Sequence, residues 1–468
     1  MAELRKPELL APAGGMEQLA YAIHFGADAV YLACDKYGLR TRASNFSLEE
    51  LPRAVAYAHD HGVKVHVTCN IYAHDKDLVD LPAYARAIRD AGVDAVIVSD
   101  LGVLATIRAH APELEVHVST QASISNAAAA LAWYQLGARR VVCAREMSLS
   151  EIADLKRELP ADMQLEVFVH GAMCMAISGR CLISDHLVGR AANQGNCVQP
   201  CRWRYELVEE SRPDERFSIE EDAQGTYIMN SKDLNMLAHL DALAAAGVDS
   251  IKIEGRVKKA FYVATVVNAY RHVLDGDPAE RWASELEKIS HRPYSTGFYF
   301  GDAEQTDDAD TYVQLNDWVG EVRACEALDN QRYRVIVRCR NRFREGEVLE
   351  LLSPDAPVEK VEIRELAELF EKQGASQDAQ ALAVARASAH PDKGGAPKAA
   401  ASADSFDSPQ ARKLSPIDEL PCERLADYDQ VPVDMANKGM HLYAITTEFA
   451  LRPRDILRST RLDPSRKN

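Results

Sequence analysis

Residues 166–203 read EVFVHGAMCMAISGRCLISDHLVGRAANQGNCVQPCRW, and the rest of the chain is organised around this stretch. It opens as a short apolar strand that ends at His170, and it then places four cysteines close together, at Cys174, Cys181, Cys197 and Cys201. The other six cysteines are scattered singly among the 468 residues. Four soft ligands gathered in one segment indicate a metal site rather than a disulfide framework.

The composition is that of a soluble globular protein, with 47% hydrophobic and 27% charged residues. No apolar run approaches the roughly 20 residues needed to cross a bilayer. The N-terminus lacks the pattern of a secretory signal, so we expect a cytoplasmic protein that does not bind membranes. The formal net charge of −17 argues against broad, non-specific adhesion to nucleic acid, although a local basic surface remains compatible with it.

The strand that opens the cysteine stretch is the seventh of eight. Between residues 7 and 275, short β-branched runs alternate with amphipathic helical stretches. The predicted strands are Glu8–Ala13, Ala29–Cys34, Lys64–Asn70, Ala95–Asp100, Glu115–Thr120, Arg140–Arg145, Gln164–His170 and Ser250–Glu254. Eight alternations favour an α/β fold of the parallel (β/α)8 TIM type over an open doubly wound sheet. Pro12-Ala13-Gly14-Gly15 is also not a dinucleotide fingerprint.

Polar residues follow most of these strands. Active sites of such barrels lie at the carboxyl ends of the strands, so these side chains should converge. They are Asn70, Ser99, Asp100, Ser119, Gln121, Arg145, Glu146, His170, Lys252, Glu254 and Arg256. Each one alone is typical of a cap or a turn, but the set favours a pocket for a polar, anionic ligand. The candidate catalytic residues are His170, Lys252, Glu254, Arg256 and Arg145.

The domain organisation follows from changes of pattern along the chain. Residues 1–275 are predicted to form the barrel, with a cluster-binding insertion at 171–233 after strand 7. Residues 276–314 are expected to be a connector. Strand alternation predicts a small β-barrel-like domain at 315–372. Residues 373–468 resemble a low-complexity, poorly ordered tail, in which Met440–Phe449 could form one strand or helix.

Three interpretations of the four cysteines remain open on spacing alone. Thiolates suit the iron of an iron–sulfur cluster. Structural zinc prefers two close pairs, and only Cys197 and Cys201 form such a pair. In the third interpretation some of the cysteines are buried small hydrophobic residues. A radical S-adenosylmethionine spacing fails, because Arg204 stands where its third cysteine would be.

Several long motifs resemble one known family, the collagenase-like peptidases, family 32 of unknown catalytic type. The matching segments are 7–14 (PELLAPAG), 26–31 (GADAVY), 166–174 (EVFVHGAMC), 178–184 (SGRCLIS), 230–234 (NSKDL) and 251–256 (IKIEGR). Residues 193–197 (NQGNC) and 201–203 (CRW) favour the subgroup that hydroxylates tRNA. Past about residue 374 the sequence no longer resembles the family, so the second domain is expected to be incomplete or differently closed.

The resemblance implies a barrel that carries a [4Fe–4S] cluster on Cys174, Cys181, Cys197 and Cys201. It further implies oxygen-independent hydroxylation of the wobble uridine of tRNA to 5-hydroxyuridine, with prephenate as hydroxyl source. The implied partners are tRNA, a small dicarboxylate donor, the iron–sulfur assembly machinery and an electron donor. Arg145, Lys252 and Arg256 would orient the donor through charge-assisted hydrogen bonds. His170 would shuttle a proton or, alternatively, hold the loop backbone.

Two other function classes compete with hydroxylation. A collagenase-like peptidase would need a nucleophile beside a base or an open metal site, and the sequence shows neither. A non-catalytic RNA-binding or cluster-carrying adaptor is disfavoured by the acidic net charge and by the polar residues at the strand ends.

Overall fold

A computed structural model describes most of the chain in two compact units. The described residues are 5–39, 45–174, 181, 183–190, 197–198, 200, 221–222, 225–226, 232–301, 313–329, 332–354, 357–372 and 424–461. One unit comprises Met1–Asp317 with Thr460–Asn468, and the other comprises Trp318–Ser459. Among the described helices, none has both the length and the hydrophobicity needed to cross a membrane.

The first unit is a closed parallel barrel. Its strands are β1 (Glu8–Pro12), β2 (Ala29–Leu32), β3 (Lys64–Cys69), β4 (Ala95–Val98), β5 (Glu115–Val118), β6 (Arg140–Val142), β7 (Gln164–Ala172) and β11 (Ser250–Ile253). Each of the first six pairs with the next in sequence, and β11 pairs with both β7 and β1, which closes the ring. All eight predicted strands are confirmed. The strands are largely buried on both faces, because helices cover the outside of the barrel.

Helices connect the strands of the barrel. They are α1 (Met16–His24), α2 (Leu51–Asp60), α3 (Asp75–Leu78), α4 (Leu81–Asp90), α5 (Leu101–His110), α6 (Ala127–Gln135), α7 (Leu149–Glu158), α8 (Ile183–Val188), α9 (Leu240–Ala245), α10 (Ala260–Leu274) and α11 (Ala279–Leu286). Asp100 and Ser148 cap α5 and α7, since their side chains accept hydrogen bonds from the backbone N–H groups of Val103 and Glu151.

The chain leaves the barrel after β7 and returns beside it. Between the two points lie α8 and two short strands, β8 (Glu221–Asp222) and β9 (Gly225–Thr226). The return strand β10 (Asp233–Asn235) pairs antiparallel with the end of β7. A further strand, β12 (Tyr294–Ser295), pairs parallel with β10. The segment 276–314, expected to be a connector, therefore contributes α11 and an added strand at the carboxyl end of the barrel.

The second unit is built on an antiparallel sheet. Its elements are β13 (Asn316–Asp329), β14 (Arg332–Cys339), β15 (Phe343–Arg344), β16 (Val348–Leu352), β17 (Glu359–Glu362), β18 (Arg364–Glu371), β19 (Tyr428–Pro432), β20 (Met435–Ala436), β21 (Leu442–Thr447) and β22 (Ile456–Thr460). Eight of them pair in the order β17-β16-β22-β13-β14-β21-β18-β19, and β15 pairs with β20.

The expected tail at 373–468 is wrong for its second half. Residues 424–461 supply four strands, and two of these lie inside the sheet: β21 between β14 and β18, and β22 between β16 and β13. The strands are short and their partners lie far away in sequence, so a local window cannot show that they pair. Tyr443 and Ile445 of β21 are buried in the sheet core with Val335 and Val337. The part of the tail at 373–423 lies outside the described residues.

Candidate active site at the carboxyl end of the barrel

A network of buried charges fills the barrel interior below the site. Glu166 is fully buried and accepts hydrogen bonds from Lys252 Nζ at 2.9 Å and from Arg140 Nη1 at 2.9 Å. Arg140 also donates to Glu8 Oε1 at 2.6 Å. Burial would raise the pKa of Glu166, but Lys252 and Arg140 lower it to about 2. These charges neutralise one another inside the barrel.

Lys252 belongs to this network rather than to the open face. Its side chain is buried, and its ammonium group lies 4.4 Å from the centroid of the Tyr31 ring and 5.5 Å from that of Phe168. The sequence placed Lys252 among the residues that contact an anionic ligand. The structure places it one layer deeper, where Glu166 already compensates its charge.

Arg145 occupies the carboxyl end of β6, above Phe168. Its guanidinium carbon lies 3.9 Å from the centroid of the Phe168 ring, and Nη1 donates to the carbonyl of Ala172 at 2.9 Å. Nη2 lies 3.7 Å from Glu254 Oε2, so two candidate residues of the sequence analysis meet here. The side chain is only 7% exposed. Its Nε is closed to solvent and has no hydrogen-bond partner among the described residues, so one donor of this cation is unused.

Arg256 joins the end of β11 to the opposite side of the barrel. It is buried, and its guanidinium donates to Thr68 Oγ1 at 3.0 Å and to Asn45 Oδ1 at 3.4 Å. Thr68 belongs to β3, and Asn45 lies in the segment that follows β2. The polar ends of three strands are therefore connected through one arginine.

The polar residues after β3, β4 and β5 also converge, as predicted. The Asn70 carbonyl accepts hydrogen bonds from Gln121 Nε2 at 2.9 Å and from Ser99 Oγ at 3.3 Å. Ser119 Oγ donates to Gln121 Oε1 at 3.1 Å. This rim is built by hydrogen bonds between neighbouring strand ends, which is the arrangement expected for the active face of a parallel barrel.

His170 lies at the end of β7 inside a cage of tyrosines. The centroid of its ring is 5.4 Å from that of Tyr294, 5.5 Å from that of Tyr270 and 6.0 Å from that of Tyr262. Burial lowers the pKa of His170 to about 3, so the imidazole is neutral at physiological pH. Nδ1 of the ring lies 3.4 Å from the Tyr270 hydroxyl, and Nε2 has no hydrogen-bond partner among the described residues, so both predicted roles of His170 stay predictions.

The cysteines of the insertion differ from the others in accessibility. Cys174 is exposed, Cys181 and Cys197 are partly exposed, and none of the three is in a disulfide. By contrast, burial raises the pKa of Cys34 to about 11 and that of Cys143 to about 12. A metal or cluster can reach the three thiols of the insertion from solvent, and thiolates are the usual ligands of iron–sulfur clusters, so this donor set suits the implied cluster.

The fourth predicted ligand, Cys201, lies outside the described residues. Among the residues that the structure describes, no three His, Cys, Asp or Glu side chains are arranged to hold a metal ion. The accessibility of the three thiols therefore supports the ligand set through its chemistry, and their assignment to a cluster stays a prediction.

The structure adds residues that sequence reasoning did not place in the site. Asp233, at the start of β10, forms a buried ion pair with Arg292, whose Nη2 lies 2.8 Å from Asp233 Oδ1. Tyr299 donates to the carbonyl of Phe168 at 2.6 Å. For Arg292 the signal was the run His291–Phe298 (HRPYSTGF), which combines one arginine with aromatic and turn residues within a supposed connector.

The fold and the site together define a (β/α)8-barrel protein with a polar site at the carboxyl ends of its strands. A family model described as peptidase family U32 matches residues 14–309, and the chain belongs to this family. It is 41% identical over 363 residues to tRNA hydroxylation protein P1 of Bacillus subtilis, covering 75% of this chain and 84% of that protein. Identity to tRNA hydroxylation protein P of Escherichia coli is 36% over 401 residues, covering 75% and 87%. A collagenase of Porphyromonas gingivalis is 35% identical over 312 residues, covering 63% and 73%.

Proposed function

We propose that this protein is an iron–sulfur enzyme that hydroxylates the wobble uridine of tRNA to 5-hydroxyuridine without O2. The observation that carries the proposal is Arg145, a buried cation with an unpartnered Nε beside the strand that leads to Cys174. The names of two relatives, both tRNA hydroxylation proteins, support the choice of reaction.

The proposed reaction is balanced in atoms and electrons. It replaces the C5–H bond of the uracil ring by a C5–OH bond, which removes two electrons from the base. A donor R–OH that returns as R–H takes up those two electrons and supplies the oxygen atom. Prephenate, the donor implied by the family resemblance, is a dicarboxylate that carries a hydroxyl group. An arginine-lined face suits such a molecule.

Arg145 and Arg256 have different tasks in this proposal. Arg145 would attract a carboxylate of the donor through its positive charge, while Glu254 and the Ala172 carbonyl fix the plane of the guanidinium. Arg256, held by Thr68 and Asn45, adds positive charge at the end of β11. Lys252 does not contact the donor. It stabilises the floor of the site, because its ammonium group lies against Tyr31 and Phe168.

The cluster would be held by Cys174, Cys181, Cys197 and Cys201. When bound, a [4Fe–4S] cluster held by four thiolates would supply a route for electrons. His170 is assigned to positioning: it packs among tyrosines directly before Gly171, and its low pKa keeps it neutral and uncharged beside the site.

The first experiment measures the cluster. Anaerobically purified protein should contain about four irons and four acid-labile sulfides per chain, with the visible absorption of an iron–sulfur protein. Cys174→Ala should lose both. Cys325→Ser is the matched control, since Cys325 is a partly exposed thiol of the second unit, far from the insertion in sequence. Zinc without sulfide in the wild-type protein contradicts the proposal.

The second experiment measures the product. Nucleoside mass spectrometry of tRNA from a deletion strain should show loss of 5-hydroxyuridine, restored by the wild-type gene and by Cys325→Ser but not by Cys174→Ala. Ribosomal RNA from the same cells serves as a second substrate pool. If tRNA is unchanged in the deletion strain but ribosomal RNA loses a hydroxylated nucleoside, the substrate is ribosomal RNA and the proposed hydroxylation reaction still stands.

A peptidase is the second candidate, favoured by the family description and by the collagenase relative. Purified, cluster-loaded protein would then cleave gelatin, and Arg145→Met would abolish cleavage. Gelatin cleavage of equal rate in wild type and variant would point to a contaminating protease.

A further inference from the structure

The cysteine-bearing excursion leaves and re-enters the barrel at adjacent backbone positions. β7 and β10 pair antiparallel, with Asp233 opposite Ala172, Leu234 opposite Gly171 and Asn235 opposite His170. Cys174 lies two residues beyond Ala172. The position of Cys174 therefore depends on whether the returning strand keeps this register.

A glycine makes the approach of the two chains possible. Gly171 has φ +103, and a Cβ atom there would lie 2.6 Å from the carbonyl oxygen of Glu254. Any other residue would push β7 away from β11 at this point. The backbone of β7 just before the excursion therefore lies too close to the Glu254 carbonyl to accommodate a side chain at position 171.

The returning strand is fixed by a buried ion pair. Arg292 is 1% exposed and Asp233 is 2% exposed. Arg292 donates to Asp233 Oδ1 from Nε at 3.0 Å and from Nη2 at 2.8 Å, and its backbone N–H donates to Oδ2 at 3.2 Å. The Asp233 N–H donates to the Pro293 carbonyl at 2.9 Å. Four hydrogen bonds hold one aspartate against one segment, so a shift of one residue would break all of them.

The same segment also contacts the residues that precede Cys174. Tyr294 lies opposite Asp233 in the β10–β12 pair, and its ring packs against His170. Gly297 lies against Leu234 and Met173, since a Cβ atom there would be 3.3 Å from Leu234 Cδ1 and 3.7 Å from Met173 Cε. Residues 291–297 thus contact both ends of the excursion at once. We define them as the clamp.

We propose that Asp233 and Arg292 are positioning residues for the cysteine ligands: their buried ion pair sets the register of β10 against β7 and so places Cys174 and the return of the excursion for cluster binding. The inference rests on the proposed function, because it assigns the clamp a task in holding the cluster. A buried ion pair is a poor source of stability compared with apolar packing, but it is geometrically selective, which is what a register device needs.

The test compares two buried ion pairs at opposite ends of the barrel. Asp233→Asn keeps the shape of the side chain but removes the charge that Arg292 requires. Arg292→Lys is the milder variant, since an ammonium group cannot reproduce the two parallel donors of the guanidinium. Glu8→Gln is the matched control, because it removes a carboxylate partner from buried Arg140 and leaves the clamp untouched.

Each protein is purified anaerobically and assayed for iron, sulfide, visible absorption and the EPR spectrum of the reduced cluster. We expect at least about a fivefold loss of iron and sulfide in Asp233→Asn. Arg292→Lys should lose less, with an altered EPR spectrum in the fraction that keeps its cluster. Glu8→Gln should bind the full cluster with the wild-type spectrum. The altered spectrum is decisive, because a general loss of stability would reduce the amount of cluster without changing its signal.

The outcomes separate this inference from the proposed function. A wild-type protein without iron and sulfide overturns both. Wild-type protein with a cluster, together with full loading and an unchanged spectrum in both Asp233→Asn and Arg292→Lys, overturns the inference alone. Equal losses in Glu8→Gln and Asp233→Asn would likewise overturn it, since the clamp would then act only through overall stability.

Discussion

The interior of the barrel and its carboxyl end differ in how their buried charges are paired. In the interior, Glu166 is fully buried but contacts both Lys252 and Arg140, so each charge has a partner. At the carboxyl end, Arg145 is nearly as buried, yet its Nε has no partner among the described residues. A fold can carry buried charge for stability or for chemistry. The difference is visible in whether the hydrogen-bonding capacity is already used.

The first prediction breaks the interior network. Glu166→Ala leaves Arg140 and Lys252 buried without their shared carboxylate, which should cost about 3–5 kcal/mol of unfolding free energy. Urea denaturation followed by circular dichroism measures the loss. A change below about 1 kcal/mol would show that water or a rearranged Glu8 compensates the two cations.

The second prediction concerns the replacement of Arg145 at the carboxyl end of the barrel. Arg145→Met removes the guanidinium that lies over the Phe168 ring and leaves a shorter, uncharged side chain. The unfolding midpoint is measured beside activity, so that a loss of stability is distinguished from a loss of chemistry. Hydroxylation should fall about 100-fold, the effect of losing one charge-assisted contact in a desolvated site. Arg139→Met, at an exposed arginine six positions earlier in the chain, is the control that should keep wild-type activity. Equal activity in both variants would remove Arg145 from the site.

The third prediction concerns the pH dependence of stability, which depends on two buried histidines in the barrel interior. Burial lowers the pKa of His66 to about 4, and it also lowers that of neighbouring His117. An unfolded imidazole binds its proton near pH 6.5, so the unfolded chain holds more protons than the folded one between those values. Stability should therefore fall as pH drops through this window, by about 2 kcal/mol at pH 5 for His66.

Chemical denaturation at pH 7.5 and pH 5.0 measures this effect. A variant in which His66 is replaced by Gln should show a weaker pH dependence. An identical slope in wild type and variant would assign the acid sensitivity to other groups, such as the neighbouring His117. Glu166 does not contribute between these two pH values, because its carboxylate is lost only between its unfolded value near 4.5 and about 2.

The smallest expected effect comes from a pair outside both regions. Lys36 and Asp80 lie 3.0 Å apart with both side chains well exposed. Asp80→Asn should change the unfolding free energy by less than about 1 kcal/mol, since solvent screens the interaction. A larger loss would mean that burial is not what separates strong from weak ion pairs in this barrel.

Features that depend on the local sequence were predicted well, and features that depend on contacts between distant segments were not. The eight barrel strands were predictable because each is a short apolar run bounded by turn residues, and the caps at Asp100 and Ser148 follow from residue type. Of the strands at 428–460, only β21 was anticipated, as one of the two alternatives, strand or helix, for Met440–Phe449. The others were not predicted, because they are short and pair with strands that lie far away in sequence. Lys252 was placed one layer too high, since a strand end in the sequence does not show where the side chain points.

The sequence by itself determined the barrel, the family and the four clustered cysteines, since these depend on residue type, spacing and period. Only the tertiary structure decided which charges are neutralised. Glu166 meets Lys252, and Asp233 meets Arg292, only because strands distant in the chain become neighbours when the barrel closes. Burial then converts these contacts into large effects, because an ion removed from water must find its partner within the protein.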